Sequence, residues 1–127
     1  MTHTILIVEN DPSVSELWVR TLAGAGYVVR LAADAVEGAR LLADWQPSVA
    51  ICDAHLPGTS SVWLADLIRH HFPTTALVLA TADHEIPPDE ALRPAIVAYV
   101  LKPVGRDELL AAVETAVAWA VRARERQ

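Results

Sequence analysis

Val49-Ala50-Ile51-Cys52-Asp53-Ala54-His55-Leu56-Pro57-Gly58 places four apolar residues in a row, a lone carboxylate after them and a turn behind it. A short, unbroken apolar run bounded by turn residues suits a strand covered on both faces, the pattern of a parallel sheet. A carboxylate at the mouth of such a strand is costly to place unless something there uses its charge. Working outward, four further apolar runs stand at Ile5–Val8, Val28–Ala32, Ala76–Ala80 and Ala98–Leu101. Three more of these runs end on a residue with chemistry to offer: Glu9, Thr81 and Lys102.

The segments between the runs carry a helical period. Val14, Leu17, Trp18, Thr21, Leu22 and Ala25 fall on one face of a first helix, by i, i+3, i+4, i+7 spacing. Asp11-Pro12 opens it with a capping acid and a proline at the first position, and Gly24 and Gly26 close it. A second helix is expected from about Asp34 to Trp45, ended by Pro47. A third begins near Ser60 as its cap and stops before Pro73. Pro87, Pro88 and Pro94 leave room for only a short fourth helix, about Asp89 to Arg93. The last starts after Gly105, carries Leu109, Val113, Ala116, Val117 and Ala120 on one side, and runs almost to Gln127. Its continuation through Ala118–Glu125 suits a link to a further segment or a helix used in dimerisation.

Alternating strands and helices give an α/β domain with right-handed crossovers. Five of each in 127 residues fit a flavodoxin-like (βα)5 fold, with a five-stranded parallel sheet in the order 2-1-3-4-5 and helices on both faces. The carboxyl ends of strands one, three, four and five then bring Glu9, Asp53, Thr81 and Lys102 toward one point. Two acids, a hydroxyl and an amine so gathered describe a phosphoryl-transfer site. There is no linker, repeat or low-complexity stretch, so residues 1–127 read as a single domain.

Composition excludes several classes. The chain is 53% hydrophobic and 20% charged, far from the disordered range. No apolar stretch approaches the roughly 20 residues of a membrane span, and Met1-Thr2-His3-Thr4 lacks the layout of a signal peptide. One cysteine rules out an internal disulfide and fits a reducing cytosol, so a cytoplasmic location is expected. With a net charge of −6 and no basic stripe beyond Arg122, Arg124 and Arg126, direct nucleic-acid binding is not expected. Glu9-Asn10-Asp11-Pro12 has no glycine and is acidic, which excludes a flavin or phosphate loop after the first strand.

Four motifs in order and spacing, Ile-Leu-Ile-Val-Glu-Asn-Asp-Pro (5–12), Cys-Asp-Ala-His-Leu-Pro-Gly (52–58), Ala-Thr-Ala (80–82) and Tyr-Val-Leu-Lys-Pro (99–103), resemble the receiver domain of bacterial two-component response regulators. The resemblance runs from Ile5 to the last helix. It implies a signalling acceptor rather than an enzyme, with Asp53 taking a phosphoryl group from a phosphohistidine on a histidine kinase or phosphotransfer protein. It implies Mg²⁺ held by Glu9, Asn10, Asp53 and the backbone carbonyl of His55. Lys102 and Thr81 would contact phosphoryl oxygens, Pro103 would follow a cis peptide bond, and Tyr99 would swing into the space Thr81 vacates. The changed surface would then meet a downstream protein.

Asn10 departs from that pattern, because receivers usually hold an acid there that touches the metal directly. An amide still offers a carbonyl oxygen, but one negative charge is gone. Hence the competing reading is a pseudo-receiver that binds a partner without phosphate. Ser60-Ser61 replaces a common Asp-Gly pair, which touches only the cap of the third helix. Cys52 reads as inert packing. His70-His71 point about 100° apart on a helix and, with His3, His55 and His84, show no zinc spacing. Trp18, Trp45, Trp63 and Trp119 lie on four helices, which favours packing over a stacking platform, whereas an exposed Trp63 or Trp119 would point to an interface.

Overall fold

The computed structural model describes residues 2–56, 61–82 and 96–126. Five parallel strands, β1 (Thr4–Val8), β2 (Val28–Ala32), β3 (Val49–Asp53), β4 (Ala76–Thr81) and β5 (Ile96–Leu101), form one sheet in the order β2-β1-β3-β4-β5. Four helices are described: α1 (Pro12–Gly24), α2 (Ala35–Trp45), α3 (Ser61–His71) and α4 (Arg106–Glu125). This is the flavodoxin-like order. The short helix expected at Asp89–Arg93 and the cap expected at Ser60 lie outside the described residues.

Side-chain alternation along the strands divides the interior into two layers. Ile5, Ile7, Val49, Ile51, Val78 and Val100 pack with Trp18 and Leu22 of α1 and with Leu109, Val113 and Ala116 of α4. Leu6, Val8, Ala50, Cys52 and Leu77 pack on the other face with Leu41 and Leu42 of α2 and Leu64 and Ile68 of α3. β3 is buried along its whole length, whereas β2, at one edge, is largely exposed. The continuous apolar runs thus mark the inner strands, and Arg30 interrupts the edge strand, where water reaches it.

Helix α1 is rotated from the expected face. Ser15, Trp18 and Leu22 are its buried residues, while Leu17 is 53% exposed and Ala25 is exposed too. The expectation counted only apolar residues, and small Ser15 fits against the sheet because its Oγ donates to the Pro12 carbonyl at 3.3 Å. Trp63 also departs from the expected packing at 43% exposure. It precedes the α3 stripe of Leu64, Ala65 and Ile68 by one residue, a turn of about 100° away from the sheet.

The helix ends follow their chemistry. Asp11 caps α1 by accepting from the Ser13 N–H at 3.0 Å and the Ser13 hydroxyl at 2.8 Å. Asp34 caps α2 by accepting from the Glu37 N–H at 2.8 Å. Gly26 takes φ +99 in the turn from α1 into β2, a conformation that L side chains rarely adopt. Gly38 lets α2 approach β1, since a Cβ there would meet Val8 Cγ2 at 3.1 Å.

Candidate functional site

The parallel register sets Glu9, Asp53 and Lys102 at one end of the sheet. β1 stops at Val8, opposite Cys52, and β3 runs one residue further to Asp53. Asp53 lies opposite Ala80 and therefore on the α1/α4 side of the sheet. Lys102 comes immediately after β5, tied to β4 by its N–H, which donates to the Thr81 carbonyl at 2.8 Å. The Lys102–Pro103 peptide bond is cis.

Lys102 Nζ donates to Glu9 Oε2 at 2.7 Å and lies 3.3 Å from Asp53 Oδ1. The three side chains are enclosed, at 1% exposure for Glu9, 8% for Asp53 and 17% for Lys102. Such burial of a carboxylate is tolerable only when it is paired and hydrogen-bonded. Both conditions are met, because Glu9 Oε1 also accepts the Asp11 N–H at 3.2 Å and Asp53 Oδ1 the His55 N–H at 3.1 Å. Asp53 Oδ2 accepts no hydrogen bond among the described residues. One oxygen of Asp53 is thereby anchored by an ammonium and an amide.

The other expected residues lie around this cluster. Asn10 is exposed directly after Glu9. Asp11, next along, faces its own helix rather than Asp53, and its hydrogen bonds to Ser13 hold its carboxyl below the usual 3.8. His55 is exposed, with its backbone rather than its imidazole turned to Asp53. Thr81 ends β4, half-buried. Register pairs Leu79 with Tyr99 and Thr81 with Leu101, so Thr81 and Tyr99 share a face of the sheet, two residues out of step. Tyr99 is 42% exposed on edge strand β5.

The oxygen donors at this end (two carboxylates, the Asn10 amide and a backbone carbonyl) suit a hard divalent cation such as Mg²⁺ in kind. Two features count against tight binding: the neutral Asn10, and Lys102, already on Glu9 Oε2. Among the described residues no group of three His, Cys, Asp or Glu side chains is placed to hold a metal. Cys52 is buried on the opposite face from Asp53, its thiol pushed up to about 12 by burial and then by the Asp53 charge. That agrees with an inert packing role.

Sequence reasoning missed Trp18 at this site. It lies 2% exposed beneath the cluster, its ring centroid 5.7 Å from Lys102 Nζ. The sequence placed Trp18 on the inward face of α1, one turn beyond Ser15, but held no signal of its nearness to Lys102.

The chain belongs to the response regulator receiver domain family, whose model matches residues 5–114. It is 32% identical over 107 residues to a response regulator receiver protein of Anaeromyxobacter sp. (strain Fw109-5), covering 84% of this chain and 42% of that one. It is 31% identical to the regulatory protein AtoC of Escherichia coli (strain K12), over 91% of this chain and 25% of AtoC. The chain thus spans less than half the length of these curated relatives. Among solved structures, the response regulator protein TrrA of Thermotoga maritima, in complex with Mg²⁺ and BeF, superposes with a TM-score of 0.83 at 28% identity. That match covers 91% of this chain and 99% of TrrA. No helix among the described residues is long and apolar enough to cross a membrane.

Proposed function

We propose that this receiver domain is a live phosphoacceptor, with Asp53 taking a phosphoryl group from a phosphohistidine on a histidine kinase or phosphotransfer protein. The observation that carries the reading is the asymmetry of Asp53. Lys102 and the His55 N–H hold Oδ1, and Oδ2 remains to attack. As the Oδ2–P bond forms, the N–P bond to the donor imidazole breaks and its electron pair stays on the imidazole nitrogen. The product is an acyl phosphate. Lys102 then pairs with a phosphoryl oxygen as a point charge.

Mg²⁺, when bound, would neutralise the phosphoryl oxygens during transfer. Glu9, Asn10, Asp53 and the His55 carbonyl are the residues of this chain suited to hold it. Thr81, whose carbonyl accepts the Lys102 N–H at the end of β4, would contact the phosphoryl group and couple it to Tyr99, with which it shares a face of the sheet. The exposed edge around Tyr99 would then present a different surface to a downstream protein.

Intact mass after treatment with a small-molecule phosphodonor and Mg²⁺ tests the reading. One added phosphoryl group is expected, and none on Asp53→Asn. No addition at any Mg²⁺ concentration would favour the other reading, for which Asn10 speaks, of a receiver fold that binds its partner without phosphate.

A further inference from the structure

The ammonium of Lys102 is held on three sides, and two of them are the carboxylates of Glu9 and Asp53. The third is the ring of Trp18, 5.7 Å from Nζ to centroid. Apolar volume would be enough to fill this position of the α1/α4 layer, where Leu22 and Leu109 are also buried. An indole adds a face of negative potential, and tryptophan is the strongest of the aromatic seats for a cation, more so when water is excluded. With Trp18 only 2% exposed, water is largely excluded from the ring.

We propose that Trp18 is a positioning residue for Lys102, seating the ammonium against Glu9 and Asp53 and so setting how readily it yields Glu9 to a divalent cation. The use of this device rests on the phosphoacceptor reading. Glu9 Oε1 already accepts the Asp11 N–H, so a cation drawing on Oε2 has to displace Lys102 from it. The stronger the third seat, the harder that displacement. Asn10 sharpens the competition, because it leaves the metal one charge poorer while the ammonium keeps all three of its partners.

Two measurements test this, neither involving phosphate. Subtracting the emission spectrum of Trp18→Phe from that of the native chain isolates Trp18 from the other tryptophans. Lys102→Met, which removes the charge and keeps the length, is expected to change that isolated emission, and an unchanged spectrum overturns the proposal. Calorimetric titration with Mg²⁺ is expected to show affinity rising about fivefold in Trp18→Leu and about twofold in Trp18→Phe, since a phenyl face keeps part of the attraction. Both gains should vanish in a Lys102→Met background. Equal gains in the two backgrounds would reveal simple repacking and overturn the proposal. Should Trp18→Leu fail to fold, Trp18→Phe carries the same comparison, and Mg²⁺ binding that is absent from the native chain and from both Trp18 variants overturns the proposal. A chain that binds Mg²⁺ yet takes no phosphate refutes the proposed function and leaves these two results to stand by themselves.

Discussion

In the proposed site, Asn10 is the residue on which metal affinity would turn. It comes directly after Glu9, stands exposed at the mouth of the pocket and offers a neutral oxygen where an acid would bring a charge. Around it, Glu9 and Asp53 share one ammonium, so two negative charges meet one positive charge before any metal arrives. A third carboxylate would swing that balance toward a divalent ion. Asn10→Asp is therefore expected to tighten Mg²⁺ binding by roughly tenfold or more, the scale on which a ligand or its support counts. Isothermal titration calorimetry checks this, and an unchanged affinity would remove position 10 from the ligand set. Asp11 offers no substitute, because its carboxylate is committed to the start of α1.

At the scale of elements, helix α1 links the cap to the site. Asp11 holds its first turn, and the same helix carries Trp18 beneath Lys102. The Asp11 carboxyl is held below its usual 3.8, first by the Ser13 hydroxyl and then by the Ser13 N–H. A group depressed on folding contributes its stability above the unfolded value and loses it as pH falls through the folded one. In urea unfolding, the native chain should therefore exceed Asp11→Ala by a constant margin at pH 5 and above. The two should converge as pH drops below about 3.8, where the protonated carboxyl no longer favours the cap. A margin that held into strong acid would show that the cap does not depend on charge.

How much of this was open to sequence reading differs by element. The inner strands were legible because burial on both faces leaves an unbroken apolar run, as in Val49–Cys52. The pocket was legible because Glu9, Asp53 and Lys102 each stand at a strand's carboxyl end, and a parallel sheet brings its carboxyl ends to one edge. The rotation of α1 was not, because Ser15 is buried through a local hydrogen bond rather than by apolar character. The nearness of Trp18 to Lys102 was not legible either, since it arises from packing between segments far apart in the chain.

For the whole molecule, the sheet is the partition that matters. It separates the layer of α1 and α4, which holds the site, from the layer of α2 and α3. Leu42 is fully buried in the second layer, so Leu42→Ala should cost about 2–5 kcal/mol of folding stability through lost burial and the cavity left behind. Chemical denaturation reads that loss. Because the substitution lies across the sheet from Lys102 and Trp18, Mg²⁺ affinity of the folded protein should stay within about twofold, given that distant sites act nearly additively. The pair formed by Glu9 and Lys102 works differently, since it joins positions 93 apart in the chain and strands β1 and β5, which β3 and β4 separate. Closing a long loop costs entropy before its contact rewards it, and folds rich in such pairings fold slowly. As the chain leaves the ribosome, Glu9 and Asp53 are both made well before the lysine that will neutralise them. Their mutual repulsion is relieved only when β5 docks, which gives the final strand an electrostatic reason to take its place at the edge. A chain cut short of Lys102 would hold both acids without their counter-charge, so the last strand is the one that completes the charge balance of the cluster.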